Sequence, residues 1–168
     1  GSPFLYYGDE IGMGDNIWLE DRNGLRTPMQ WDASLNAGFS SASPEKLYAP
    51  VISDDIYGYA QVNVAAQRAD PNSLLNCVRH MLTIRKQHPA FGWGTFDWED
   101  TGNNAIAAYR RTTEEEALLI FNNLSDQTFN LSLPEDFWGA EDVLTGQQFT
   151  EAHIQLEPYR FIWLRQLS

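Results

Sequence analysis

The feature that most limits the fold of this chain is the apolar run Pro3–Tyr7, which is followed at once by Gly8 and the carboxylates Asp9 and Glu10. An unbroken apolar run without alternation is typical of a strand buried on both faces, as in a parallel sheet covered by helices. Such a strand needs parallel neighbours, which are reached through crossovers of about a dozen residues or more. Nothing of that kind precedes Pro3, and no initiator Met is present. We therefore expect the tail of a larger α/β protein.

A long segment without periodicity, residues 14–70, follows the predicted strand. It is rich in Gly, Pro, Asn, Asp and Ser, and a loop of this length in a compact domain is usually functional. Its aromatic residues indicate that it folds back onto the rest of the protein. The clearest helix comes next, because Asp70 can cap it, Pro71 suits its first position and Pro89 ends it. The sequence predicts this helix over residues 71–88.

Beyond residue 91 the apolar period changes from helical spacing to alternation. Six or seven short runs separated by turn residues predict a small antiparallel β-sandwich over residues 92–168. The acidic triplet Glu114–Glu116 marks the turn between two of these strands. We expect Arg110 and Arg111 to offset it across the hairpin.

The charge balance limits the classes of partner. The net charge is −12, with only 11 Lys and Arg residues among 168. Binding to nucleic acid or to an anionic membrane rests on Lys and Arg, so we expect neither partner. The single cysteine, Cys77, excludes an intrachain disulfide. It fits a reducing, cytoplasmic compartment, although a cysteine-poor secreted protein would have the same composition.

Three strings carry a resemblance to a known family. They are Gly8-Asp-Glu-Ile-Gly-Met13, Asp21-Arg-Asn-Gly-Leu-Arg-Thr-Pro-Met-Gln-Trp31 and Asn36-Ala-Gly-Phe39. Together they resemble the α-amylase superfamily of glycoside hydrolases, in its oligo-1,6-glucosidase-like branch. The resemblance implies that the apolar run is the eighth strand of a (β/α)8 barrel and that the long loop lies over the active-site mouth.

These patterns and the resemblance together predict a mostly β fold class. It comprises a C-terminal antiparallel β-sandwich preceded by the last strand (3–7), the active-site loop (14–70) and the last helix (71–88) of a truncated (β/α)8 barrel. We accordingly predict two domains, a barrel remnant over residues 1–91 and the sandwich over residues 92–168.

A further segment narrows the resemblance. Residues 47–59 and 62–67 look like the trehalose synthase (maltose α-D-glucosyltransferase) branch of the superfamily. The branch implies reversible conversion of maltose and trehalose by a retaining mechanism, in which a glycosyl-enzyme forms and the freed glucose is reattached. Closure that excludes water separates this isomerisation from hydrolysis.

The resemblance also implies which residues are missing. In this family the nucleophile, the acid/base and the third carboxylate lie on earlier barrel strands, upstream of Gly1. We therefore expect no catalytic residue in this chain and no turnover by it alone. The expected partners are maltose, trehalose, glucose and the missing barrel portion, together with self-association through the unpaired strand.

The substrate-binding candidates lie in the long loop and are Asp21, Arg22 and Arg26. Arginine presents a planar fork that can hold a pair of sugar hydroxyls or a catalytic carboxylate. The alternative is an ordinary salt bridge inside the loop, with Asp21 or Glu20. For Asp9 and Glu10 a structural role at the barrel rim is favoured over a catalytic pair.

No metal or cofactor is predicted for the chain, and calcium stays open only for the parent enzyme. Asp15, Asn16, Asp21 and Asn23 faintly resemble a calcium loop, but the spacing does not complete an EF-hand. An Asx-rich turn is the favoured interpretation.

Two other functions stay open. The first is an α-glucosidase of the same superfamily that hydrolyses maltose. The second is a sandwich that acts as a carbohydrate-binding or subunit-contact module. Its candidate stacking residues, which could equally form the core, are Trp93, Trp98, Tyr109, Trp138, Tyr159 and Trp163.

Overall fold

The computed structural model describes residues 2–166 and divides into two compact units. One unit holds residues 3–80, and the other begins at Met81 and contains the sheets. Gly1 and residues 167–168 of the predicted domains lie outside the described residues. The domain division after residue 91 stays a prediction.

The apolar run Pro3–Tyr7 is not paired into a sheet in this structure. Every described strand lies between residues 97 and 165, so none in the first unit is available as a neighbour. Phe4 is 96% exposed and Tyr7 is 41% exposed. Because a strand is held by hydrogen bonds to an adjacent strand, the predicted strand is not formed here.

The long loop folds onto a small core of its own, but the aromatic residues on which the expectation rested are not part of that core: Trp18 is 87% and Tyr48 93% exposed. Ile11, Met29 and Val64 are buried together, which fixes the loop at three points far apart in sequence. Helix α1, Val64–Ala69, begins where the Asn63 side chain accepts the Ala66 N–H at 2.8 Å. Short 3₁₀ turns occupy Asp9–Ile11, Asn23–Arg26, Leu35–Gly38 and Pro44–Lys46.

Helix α2 extends over Leu74–Gln87, three residues shorter at its start than predicted. The Asp70 carboxylate accepts the Asn72 N–H at 2.9 Å and so closes a turn instead of capping the helix. The Ser73 hydroxyl accepts the Asn76 N–H at 3.3 Å and takes the capping role. Neither α2 nor any other described helix has the length and apolar character needed to cross a membrane.

The predicted antiparallel β-sandwich is confirmed. A short helix, α3 (Ala90–Trp93), leads into a five-stranded sheet of order β1-β2-β3-β7-β5, which faces a two-stranded sheet of β4 and β6. The strands are β1 Asp97–Trp98, β2 Ile106–Thr112, β3 Ala117–Asn123, β4 Phe129–Ser132, β5 Glu141–Asp142, β6 His153–Leu156 and β7 Phe161–Arg165. A 3₁₀ turn covers Glu135–Phe137.

The large sheet is apolar on both faces. Successive residues of β3 face opposite sides of the sheet, and each side packs against a core. Leu119 and Phe121 join the core against the small sheet. Leu118 and Ile120 pack with Phe91 of α3 on the other face. Burial on both faces explains why β3 has an unbroken apolar centre.

The expected charge pairing across the β2–β3 hairpin is wrong. Arg110 pairs instead with Glu99 at 2.6 Å and Asp136 at 2.5 Å. Arg111 is buried and donates to backbone carbonyls, while Glu116 lies 2.8 Å from His88 Nδ1. Successive strand residues face opposite sides of a sheet, so the two arginines could not both face the turn acids.

Candidate functional site

The two carboxylates after the apolar run stabilise a tight turn. Asp9 Oδ2 accepts the Tyr6 N–H at 2.9 Å, and Glu10 Oε2 accepts the Gly8 N–H at 2.9 Å. Gly8 has a φ of 94°, which favours glycine at this position. Backbone bonds of this kind support the structural interpretation of Asp9 and Glu10.

The neck of the loop, residues Gly24–Thr27, is held tightly on one side by Asn16. The Asn16 N–H donates to Gly24 O at 3.1 Å. A Cβ atom on Gly24 would lie 2.4 Å from Asn16 O, which real contacts do not allow. The close approach of these two backbone segments therefore requires glycine at position 24.

The three predicted substrate-binding residues are all solvent-exposed. Asp21 has a φ of 52°, in the left-handed region that few non-glycine residues adopt. Within residues 2–166, neither Arg22 nor Arg26 forms a salt bridge, so the alternative pairing with Asp21 or Glu20 is not present. Both guanidinium groups are thus available to a ligand.

Arg26 borders a cavity of about 490 Å³ in the first unit. Aromatic rings and one carboxylate share its wall with the guanidinium, whereas Asp21 and Arg22 are not among its lining residues. The principal lining side chains are Tyr7, Glu10, Arg26, Trp31, Phe39 and Tyr48. Apolar walls with a few convergent polar groups are typical of small-molecule sites. Aromatic faces beside a hydrogen-bonding fork suit a sugar ring with its hydroxyl groups.

Gln30 lies between two cavity-lining residues, Met29 and Trp31, and its structural role was missed by sequence reasoning. Its side chain is fully buried, and Nε2 donates to Tyr57 O at 3.1 Å and to Val62 O. The backbone carbonyl of Gln30 accepts the Val64 N–H at 3.0 Å, which joins this part of the loop to the start of α1. Oε1 is buried and has no partner among the described residues. The signal in the sequence was an amide between the large apolar residues Met29 and Trp31.

Tyr7 is a second residue that sequence reasoning missed, because it was assigned to a buried strand. Its hydroxyl donates to Thr27 O at 2.9 Å and lies 3.5 Å from Leu25 O. Burial raises the pKa of Tyr7 above its ordinary value, and the nearby Arg26 acts in the opposite direction. The hydroxyl therefore stays protonated and able to donate at neutral pH.

The faint calcium pattern forms a turn. Asn16 Oδ1 accepts the Trp18 N–H at 3.1 Å, which is the geometry of an Asx turn. Among the described residues no group of three or more His, Cys, Asp or Glu side chains could hold a metal ion.

The sandwich aromatic residues divide between the core and the surface. Trp163 is buried against Phe91, with ring centroids 4.5 Å apart. Trp98 is 71% exposed and lies beside Phe96 and Tyr109, with ring centroids 5.1 and 6.1 Å away. The other exposed members are Trp93, Trp138 and Tyr159.

Comparison with protein families gives two matches along the chain. Residues 1–94 match the family described as alpha amylase, catalytic domain. The chain belongs to the alpha-amylase family. Residues 99–163 match a second description, maltogenic amylase, C-terminal domain.

The similar curated proteins include trehalose synthases and, at lower identity, oligo-1,6-glucosidases. The chain is 54% identical over 129 residues to the trehalose synthase of Pimelobacter sp. The aligned part covers 74% of this chain and 22% of that protein. The chain is 53% identical over 128 residues to the trehalose synthase/amylase of Mycobacterium tuberculosis, covering 74% of this chain and 21% of that protein. The chain thus spans about a fifth of the length of these relatives.

Solved structures of the family have the same fold. The trehalulose synthase MutB of Pseudomonas mesoacidophila superposes with a TM-score of 0.85 at 24% identity, over 98% of this chain and 35% of that one. A mutant isomaltulose synthase of Erwinia rhapontici, in complex with D-glucose, gives a TM-score of 0.72 at 30% identity, over 88% of this chain and 26% of that one. The fold class of the chain is therefore that of the C-terminal region of alpha-amylase-family enzymes.

Proposed function

We propose that this sequence forms the C-terminal part of a trehalose synthase, an enzyme that interconverts maltose and trehalose by retaining intramolecular glucosyl transfer. The observation that carries the proposal is the Arg26 guanidinium, which has no ion pair among the described residues and borders an aromatic-walled cavity. The 54% and 53% identities to trehalose synthases support the choice of reaction.

The proposed role of this chain is binding, since the resemblance puts the catalytic carboxylates upstream. Asp21, Arg22 and Arg26 hold sugar hydroxyls at the mouth of the site. A guanidinium donates several hydrogen bonds in a fixed plane, so it can fix the orientation of a glucosyl unit. Walls that exclude water favour reattachment of the freed glucose over hydrolysis. The ligands are accordingly maltose, trehalose and glucose.

The decisive experiment incubates the full-length enzyme that contains this sequence with maltose and identifies the products by chromatography. Trehalose is expected as the main product. Glucose without trehalose would replace the proposal with a hydrolytic α-glucosidase. The 168-residue chain alone is expected to release neither sugar.

Two substitutions in the full-length enzyme test the binding residues. Arg22→Ala and Arg26→Ala should each lower kcat/KM for maltose roughly tenfold or more, the loss expected for a hydrogen bond from a charged group. Arg160→Ala is the matched control, because Arg160 is exposed on the sandwich and forms no salt bridge within residues 2–166. Unchanged activity of both loop variants would show that Arg22 and Arg26 do not bind the substrate.

A second candidate function is supported by the exposed rings of Phe96 and Trp98, which lie beside the half-buried Tyr109. Exposed aromatic rings are common platforms for sugars. Calorimetric titration of the chain with maltose, trehalose and glycogen should give heats that Trp98→Ala removes and Trp93→Ala keeps. Flat heats for the unaltered chain would refute a carbohydrate-binding module.

The remaining proposals concern organisation and location. Family matches at residues 1–94 and 99–163 support a barrel remnant over residues 1–91 and a separate sandwich over residues 92–168. A cytoplasmic location is supported by the single, unpaired Cys77.

A further inference from the structure

The Tyr7 hydroxyl reaches the backbone on both sides of Arg26. It donates to Thr27 O at 2.9 Å and lies 3.5 Å from Leu25 O, so it contacts the residue before and the residue after the arginine. Thr27 is 2% exposed, whereas Arg26 is exposed. A single phenol therefore joins the apolar run to the two residues that flank Arg26, of which Thr27 is buried and Leu25 is 52% exposed.

A second anchor restrains the other end of this segment. The Asn16 N–H holds Gly24 O at 3.1 Å, and the two backbones approach too closely for a side chain at position 24. The backbone of Arg26 is thus fixed between an anchor at Gly24 and an anchor at Thr27. Its guanidinium has no ion pair among residues 2–166 that could fix it from the other end.

We propose that Tyr7 is a positioning residue that aims the Arg26 guanidinium into the sugar cavity through its hydrogen bond to Thr27. This inference rests on the proposed function of Arg26. Tyr7 and Arg26 also border the same cavity, so a shift of the neck would move the guanidinium relative to the bound sugar. Burial raises the Tyr7 pKa above its ordinary value, so the hydroxyl carries the proton that it donates to Thr27 O at neutral pH.

Tyr7→Phe in the full-length enzyme is the direct test, because it removes the hydroxyl and keeps the ring. We expect KM for maltose to rise roughly fivefold with kcat little changed, as expected when one hydrogen bond that serves substrate binding is lost. Tyr6→Phe is the matched control. Its ring lies 4.7 Å from that of Tyr7, and it does not line the cavity. The melting temperatures of both variants should agree with the unaltered enzyme within a few degrees.

A double-mutant cycle separates positioning from a merely structural effect. In an Arg26→Ala background, Tyr7→Phe should cause no further loss in kcat/KM, since its target is already absent. Additive losses would overturn the positioning role and leave the binding role of Arg26 intact. An Arg26→Ala enzyme with unchanged kcat/KM would overturn the binding role itself and, with it, this inference.

Discussion

Arg111 provides the sharpest test of how the sandwich is held together. Arg111 is 8% exposed, and its Nε and Nη2 donate to Ala90 O at 3.1 Å and Gly94 O at 2.8 Å. These carbonyls lie at the two ends of helix α3. On the same hairpin, Glu116 accepts the Ala90 N–H at 2.8 Å. The β2–β3 hairpin therefore holds α3 through one charged donor and one charged acceptor.

The expected loss of stability follows from the two hydrogen bonds that the Arg111 guanidinium donates. A hydrogen bond from a charged donor contributes about 1.5–3 kcal/mol. Ala90 O also accepts the Gly94 N–H at 3.0 Å, so it keeps a partner when the arginine is removed. Arg111→Met should therefore lower the free energy of unfolding by about 3 kcal/mol, after partial compensation by the apolar side chain. Arg111→Lys keeps the charge but can reach only one carbonyl in good geometry, so about half that loss is expected.

Urea unfolding of the chain, followed by tryptophan fluorescence, measures both losses. Trp163 is a suitable probe because it packs against Phe91 of α3. With a slope of about 2 kcal/mol per M, Arg111→Met should lower the midpoint by roughly 1.5 M. Arg160→Met is the control at an exposed position and should leave the urea midpoint unchanged. A loss of under about 1 kcal/mol for Arg111→Met would refute the stabilising role of the two guanidinium hydrogen bonds.

Three further predictions concern the first unit. Gly24→Ala forces the backbone away from Asn16 O and should raise KM for maltose in the full-length enzyme, whereas an unchanged KM would show that the close approach is not needed. Asp54 accepts two backbone N–H groups at 2.8 and 2.7 Å, which lowers its pKa. Because the folded pKa is the lower one, these bonds contribute fully above the unfolded pKa and are lost as the pH falls through the folded value. A carboxyl titration by NMR should give a midpoint below the ordinary value of about 3.9, and a midpoint above it would contradict the assignment. Phe4 is 96% exposed, so light scattering should detect self-association of the chain that Phe4→Asp reduces, and a monomer at all concentrations would contradict this.

The sequence was informative where a residue's role depends on its near neighbours. Short apolar runs bounded by turn residues placed most of the strands. Alternation is kept in β6, which has one face against the core, whereas β3 is apolar on both faces. The string from Arg26 to Trp31 identified the family because its residues are contiguous. Pro3–Tyr7 has the composition of a buried strand, but hydrogen bonding requires a neighbour that the described chain does not contain. Composition can predict that a segment suits a strand, but it cannot supply the partner.

The residues that sequence reasoning missed share one physical property: their partners are backbone carbonyls far away in the sequence. Tyr7 bonds to Thr27 O, Gln30 to Tyr57 O, and Arg111 to Ala90 O. A carbonyl is present at every residue and has no side-chain signature, so charge patterns cannot find such bonds. Arg111 was matched to the nearest acids for this reason, although its buried position required acceptors that only a folded backbone places there. The same argument explains why Arg26 was recognised and Tyr7 was not. The guanidinium points to a ligand by its own chemistry, whereas the phenol acquires its role only when the loop neck is brought against it.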